Sequence, residues 1–529
     1  MMRKDDLILA WLGGLILVSL VATFQTAPGY MDAEYYYAGG LQLKRGMGFY
    51  EPYLWNYLTD PKSLPIPSHT YWMPLASILS WLGMSLGDRE TFAWARIPFL
   101  ILGSLVSPLT YWLTWKITAQ RFSSIFAAIL AWLPMFYLAY LPTTDTFAIY
   151  MVLGTLWLIL ASRIKTLRKN EAFYAGIVCG LMHLARADGL VWAILFFCAL
   201  ILVRFDRLDK WGKNFLPRLV LFLVGYGLIM VGWYGRNLIQ YGSLFPEGNQ
   251  RGLFLRTYND LFRYPPSELN LSYLLQGGIL PILRDRFYAL GQNLISLLAV
   301  QLEILLAPLF LLSYFQRKGQ AIVRMATLTW LVMMGLMSIV FPYAGWRGGY
   351  FHVSAAFQPF VWCLSSDGLC GFIRWGVQKR NWNAIRASRV FSLAIVAFLF
   401  WLTGYIYWNR VIGESLTTPK WQESQQKGQL ICLSLHQQFS RNELQHEIIM
   451  INNPIGFYLM CELPAVSVPV GGEKAIQMVA QRFGVRILAL ERDHPPELSQ
   501  YYFSPRNTDL LTLIGNYDEW KIYRIHNVP

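Results

Sequence analysis

The segment Tyr71-Trp-Met-Pro-Leu-Ala-Ser-Ile-Leu-Ser-Trp-Leu-Gly-Met-Ser-Leu86 decides how the rest of the chain is arranged. It is apolar, but it is short of the roughly 20 residues that a helix needs to cross a hydrocarbon core, and Pro74 interrupts it. We read it as a helix lying at, or dipping into, the membrane interface. On that reading Asp32 before it and Asp145 after it share one face. If the segment crossed, they would lie on opposite faces.

Working outward, runs of Leu, Ile, Val and Phe recur from Leu7 to Trp408, within a composition of 55% apolar and 14% charged residues in 529. Soluble domains carry roughly a quarter charged residues. A soluble enzyme with one added anchor is therefore excluded. About eleven candidate spans follow, at 7–27, 91–115, 122–141, 144–162, 172–186, 189–203, 216–240, 295–315, 320–341, 350–371 and 390–410. Arg186-Ala-Asp188 separates two of them as a tight hairpin.

Lys+Arg minus Asp+Glu is 45 − 31 = +14. The excess sits in short loops, at Arg3 and Lys4; Lys116 and Arg121; Arg163 to Lys169; Arg204 to Arg218; Arg317 and Lys318; and Arg374 to Arg389. One assignment turns all of these to the cytoplasm, so the charge is topological and implies no nucleic-acid partner. The loops 28–90 and 242–294, the turns near Asp145 and 342–349, and the tail then lie outside.

We divide the chain into a transmembrane module, 1–410, and a small extracytoplasmic α/β domain, 411–529. In the tail, strand-like Ile448–Ile451, Val485–Leu490 and Trp520–Ile525 alternate with a helix-like stretch, 473–483. Neither GxGxxG nor GxxxxGK[ST] occurs there, so no nucleotide cofactor is expected. Cys432 and Cys461 share this hydrophilic segment and could pair in an oxidising compartment.

The chemistry concentrates in the outer loops. Gly29-Tyr-Met-Asp32-Ala-Glu34-Tyr-Tyr-Tyr-Ala-Gly-Gly-Leu-Gln-Leu-Lys-Arg-Gly46 sets two carboxylates at the membrane surface. The competing reading of Asp32, and of Asp145, is a helix N-cap. As two acids on one face, they can bind a divalent cation, Mg or Mn, or divide base and orienting roles. His69, Arg236 in Trp233-Tyr-Gly-Arg-Asn237, and Arg347, Tyr350 and His352 in Trp346-Arg-Gly-Gly-Tyr-Phe-His352 bring phosphate-matching groups to the same side.

The order of these features resembles the GT-C glycosyltransferases, which use polyprenyl-phosphate sugars and include protein O-mannosyltransferases and aminoarabinose transferases. The features are a span, Asp32…Tyr36…Gly46, His69 with Pro74-Leu75, Asp145, Gly180-Leu-x-x-Leu-Ala-Arg-Ala-Asp-Gly189, Gly242-Ser-Leu-Phe-Pro246 and Arg347-x-x-Tyr350. The resemblance covers about residues 1–410. It implies an all-α GT-C-like membrane bundle with interfacial helices in the first outer loop. It also implies Asp32 as catalytic base or metal-associated acid, Asp145 as the second acid, and His69 as a cation meeting the donor phosphate. Many relatives have adjacent Asp-Glu, whereas Ala33 separates Asp32 from Glu34, so Glu34 is the less certain catalytic match.

The expected activity is transfer of a sugar from a polyprenyl-phosphate donor to an extracytoplasmic acceptor (protein, lipid or glycan) in a cell membrane. A transporter for lipid-linked glycans and a non-catalytic membrane subunit are the alternatives.

Overall fold

The computed structural model describes residues 2–206, 212–246, 248–445 and 447–526; the expected cytoplasmic Arg207 and Lys210 lie outside them. The chain is mostly helical. Five helices are long and apolar enough to cross a membrane: Lys4–Thr23, Phe92–Thr118, Phe215–Tyr241, Ala321–Val340 and Ala384–Ile412. Side chains such as Ile16, Ile239 and Phe400 face outward from them, at 68%, 84% and 70% exposure. In water such faces would be costly, and lipid satisfies them. The molecule is a multi-pass membrane protein.

Thr146–Ser162, Lys169–Ala185 and Gly189–Asp206 are further helices of the bundle. Two of the expected spans are broken. The segment 122–141 forms the helix Arg121–Leu130 and then a 3-10 turn, Met135–Ala139, because Pro134 disfavours the helical conformation just before it. The segment 295–315 is interrupted between Gln301 and Ala307, where Glu303 and Ile304 take positive φ. The buried Glu303 turns inward there and accepts hydrogen bonds from Trp362 (2.8 Å) and Gln358 (3.3 Å).

At one end of the bundle, ion pairs close the helix ends. Arg121 grips Asp6 with two bonds of 2.8 Å. Arg317 holds the fully buried Asp367 through Nε at 2.5 Å and Nη2 at 2.7 Å. Bidentate geometry of this kind offsets the desolvation of a buried carboxylate.

Asp32 lies beyond the other end of helix Lys4–Thr23, as the second residue of helix Met31–Lys44; Tyr30 holds the N-cap position, so Asp32 is not the cap that its place in the sequence suggests. Against this helix packs Leu75–Gly87, a short helix that stays with the loops at this end, so Asp32 and Asp145 are not separated by a crossing.

The tail folds around a six-stranded mixed sheet in the order Tyr53–Leu54, Ala465–Val466, Ile449–Ile451, Ile487–Glu491, Trp520–Ile525, Leu511–Asn516. The first four strands are parallel and the last two pairings antiparallel. One edge strand therefore comes from the first loop, and a division at residue 410 cuts through this sheet. The second loop is fastened too, as Tyr264 N–H donates to Val470 O and Val470 N–H to Phe262 O. Cys432 and Cys461 are paired, with Cα atoms 5.6 Å apart, tying helix Lys420–Gln438 to Pro454–Cys461.

Candidate active site

Three side chains meet where the loops cap the bundle. Asp32, Asp145 and His352 each offer a ligand atom, and these atoms lie within 4.8 Å of one another. His352 Nε2 is 3.2 Å from Asp32 Oδ2, and its Nδ1 is 3.7 Å from Asp145 Oδ1.

Local structure fixes each member. Asp145 is the N-cap of Thr146–Ser162, where extended backbone turns its carboxylate onto the Thr146 N–H at 2.5 Å. The Tyr30 hydroxyl donates to Asp145 Oδ2 at 2.7 Å and lies 3.0 Å from Thr143 Oγ1. Thr144 Oγ1 donates to Ala33 O at 2.7 Å, which ties the turn before Asp145 to the first turn of the Asp32 helix. His352 stacks on Phe147, with ring centroids 4.1 Å apart.

The helix of Asp145 can approach the segment of His352 because residue 154 is glycine. A Cβ there would come within 2.5 Å of Ala356. Just before His352, Gly348 at φ 142° bends the chain, a conformation that side chains resist.

Exposure divides the two acids. The Asp145 side chain is fully buried and saturated with donors, whereas that of Asp32 is 29% exposed. Among the described residues Asp32 Oδ1 has no hydrogen-bond partner. Asp32 is thus the more accessible carboxylate of the two, and Asp145 the enclosed one.

Arg347 is exposed, with its guanidinium 4.4 Å from the Tyr258 ring centre. Tyr258 feels the charges of both Asp32 and Arg347. Arg186 and Asp188 form a buried pair 2.8 Å apart, and Tyr150 donates to Asp188 Oδ1 at 2.7 Å.

Four expected site residues are not brought to this cluster. Glu34 is buried and accepts from Asn453 Nδ2 at 2.8 Å, so it fastens the first-loop helix to the tail; burial raises its pKa. His69 is 2% exposed, with its ring nitrogens 2.7 Å from Ser68 Oγ and 2.9 Å from Ser77 Oγ. Burial, aided by the charge of Arg236, lowers its pKa to about 3, and both ring nitrogens are taken up by hydroxyls inside the loop. Arg236 donates to Ser68 O at 2.8 Å and Phe49 O at 3.3 Å, clamping the same loop. Tyr350 is 1% exposed and accepts from Trp330 Nε1 at 2.9 Å inside the bundle.

The cluster also has members without a sequence signal: His352, which its motif groups with the cations rather than with the acids, and Tyr30. The N-cap position of Asp145 was visible in advance; the reach of Tyr30 across 115 residues had no local signal.

No protein-family model and no curated protein matches the sequence. Solved structures do match its fold. The archaeal oligosaccharyltransferase AglB from Archaeoglobus fulgidus, in complex with an inhibitory peptide and a dolichol-phosphate, aligns with a TM-score of 0.57 at 14% identity, covering 94% of this chain and 70% of that one. An Archaeoglobus fulgidus oligosaccharyltransferase in complex with Zn and sulfate aligns at 0.55 and 13% identity, covering 94% of this chain and 69% of that one. ArnT from Cupriavidus metallidurans in the apo state aligns at 0.55 and 11% identity, covering 96% of this chain and 97% of ArnT. The fold of this chain is therefore similar to that of AglB and ArnT.

Proposed function

We propose that the protein is an integral membrane glycosyltransferase that moves a sugar from a polyprenyl-phosphate donor to an extracytoplasmic acceptor, with inversion at the anomeric carbon. The observation that carries this reading is one partly open carboxylate, Asp32, beside a buried carboxylate and an imidazole at the end of an apolar bundle.

The free oxygen of Asp32 takes the proton from an acceptor hydroxyl. The acceptor oxygen then bonds to the anomeric carbon as the bond from that carbon to the phosphate oxygen breaks. Polyprenyl phosphate leaves, and a single displacement inverts the carbon. Arg347, with Arg186 deeper in the bundle, neutralises the departing phosphate. Asp145 and Tyr30 keep the ligand set in register. The lipid-facing helices suit a polyprenyl chain that cannot leave the bilayer.

The donor set of Asp32, Asp145 and His352 fits a divalent cation. The imidazole favours Mn or Zn over the Mg considered from the two acids alone. Such an ion, when bound, supplies Lewis-acid neutralisation of phosphate charge.

AglB's dolichol-phosphate complex supports a lipid-linked donor by analogy of fold. Basic residues at the opposite end of the bundle, Arg121 and Arg317 among them, support an extracytoplasmic site. The acceptor is a protein, a lipid or a glycan.

The test is mass spectrometry of envelope glycans and glycoproteins in cells carrying or lacking the chain, followed by assay of the purified protein with a polyprenyl-phosphate sugar. A product missing one sugar residue in cells without the chain is expected. Movement of a lipid-linked glycan across vesicles, with no new glycosidic bond, would favour the transporter alternative and overturn the proposal.

A further inference from the structure

A second site lies apart from the three ligands. A cavity of about 490 Å³ opens between the 256–286 part of the second loop and the tail, where Val470, Pro496 and Glu497 form its far wall. That volume falls in the range of small-ligand pockets, roughly 300–1,000 Å³.

Four arginines and three acids line it, but they are not equally committed. Asp260 is buried and saturated. It accepts from the backbone N–H groups of Arg256 (2.7 Å) and Thr257 (2.9 Å) and from the Tyr273 hydroxyl (2.9 Å), and it pairs with Arg263 at 3.3 Å. Asp285 pairs with Arg284 at 3.0 Å and accepts from the Tyr343 hydroxyl at 2.7 Å.

Arg256 and Arg286 remain. Among the described residues, neither has a carboxylate within ion-pair distance. The Arg256 guanidinium lies 5.2 Å from the centre of the Tyr273 ring, and Arg286 spends one donor on Ile282 O at 3.1 Å. Gly277 leaves room for Arg256, since a Cβ there would lie 3.1 Å from its Nη2. Two half-buried guanidiniums without carboxylate partners, lining one partly open cavity, are matched by an anion with several acceptor oxygens.

We infer that this cavity binds a phosphate or carboxylate group through Arg256 and Arg286. The inference stands on the cavity alone; only naming the bound molecule as the sugar acceptor rests on the proposed function. The location suits that role. Tyr258, beside the cavity-lining Thr257 and Asn259, carries Arg347 on its ring and feels the charge of Asp32. Tyr258 thus links the cavity wall to Arg347. The neighbouring helix Ile279–Ser296 exposes Leu280 at 80% and Phe287 at 69%, so a lipid headgroup and a soluble anion both have access.

Full-length protein in uncharged detergent is titrated with inorganic phosphate by calorimetry. In parallel, protein in nanodiscs of phosphatidylcholine with or without phosphatidylglycerol is analysed by native mass spectrometry for retained lipid. Phosphate binding assigns a soluble anion, and selective retention of phosphatidylglycerol without phosphate binding assigns a headgroup. Either result is expected to weaken on the order of tenfold or more in R256Q/R286Q. Glu497→Gln, which removes a negative charge from the wall, is expected to strengthen it, a gain that misfolding cannot produce. Asp32→Asn is expected to leave it unchanged. The inference is overturned if neither anion binds, if R256Q/R286Q binds as well as the parent, or if Asp32→Asn alone abolishes binding. Loss of sugar transfer in any of these proteins bears on the proposed function and not on this site.

Discussion

Replacing Tyr30 by phenylalanine removes one oxygen and nothing else. The ring keeps its edge contacts with Tyr140 at 5.2 Å and Trp421 at 5.6 Å. What is lost is the 2.7 Å hydrogen bond to Asp145 Oδ2 and the 3.0 Å contact with Thr143. A hydrogen bond to a charged group contributes about 1.5–3 kcal/mol, and each 1.36 kcal/mol is a factor of ten, so the effect is about 10–150-fold. Loss of a partner that orients a metal ligand falls in the same range, about 10–100-fold. The variant is expected to bind Mn weaker by about that factor, measured by electron paramagnetic resonance of free Mn, while its melting temperature without metal stays within a few degrees. An unchanged Mn affinity would show that Asp145 is not held by Tyr30 for ligation, and the reasoning about its orientation would be refuted.

Further outcomes follow from the same geometry. Glu51 is buried in the first loop and its pKa is raised to about 8 by desolvation, so the folded state holds a proton that the unfolded chain releases near the ordinary carboxylate value. Stability from this group is therefore lost as pH rises from about 4.5 to 8, and Glu51→Gln is expected to raise the melting temperature at pH 8 but not at pH 4.5; equal shifts at both would contradict this. His69, held near 3, acts in the opposite sense, losing stability as pH falls below about 6.5, and His69→Asn is expected to flatten that acid limb of a melting profile. Gly154→Leu drives a side chain into Ala356 and is expected to cost about 1–3 kcal/mol and to weaken Mn binding by parting Asp145 from His352; denaturant melts with unchanged Mn affinity would argue against it. Glu34→Gln keeps a partner for Asn453 and is expected to retain Mn affinity and transfer, whereas a loss matching that of Asp32→Asn would return Glu34 to the active site.

Much of this arrangement is written in local patterns. The apolar runs declare a bundle because a bilayer requires internally satisfied backbone, and the short, proline-bearing Tyr71–Leu86 keeps Asp32 and Asp145 at one end. The broken spans also had visible causes: Pro134 in one, and Gln301-Leu-Glu303 followed by Pro308 in the other, which hydropathy averaging smooths over. Long-range partners are harder to read. Tyr53–Leu54 is too short to register as a strand, and only its pairing with Ala465–Val466 makes it one. His352 sits in an aromatic stretch whose spacing says nothing of acids more than 200 residues away. His69 and Arg236 had the right chemistry for phosphate, but the loop turned them inward to satisfy its own backbone and hydroxyls.

The reactivity of Asp32 is measured directly by sugar transfer by purified Asp32→Asn from a polyprenyl-phosphate donor. Asparagine preserves the shape but can neither take the proton nor carry the charge. A fall in kcat of on the order of a hundredfold or more, in a protein that melts like the parent, is predicted. Transfer at the parent rate would contradict the central claim.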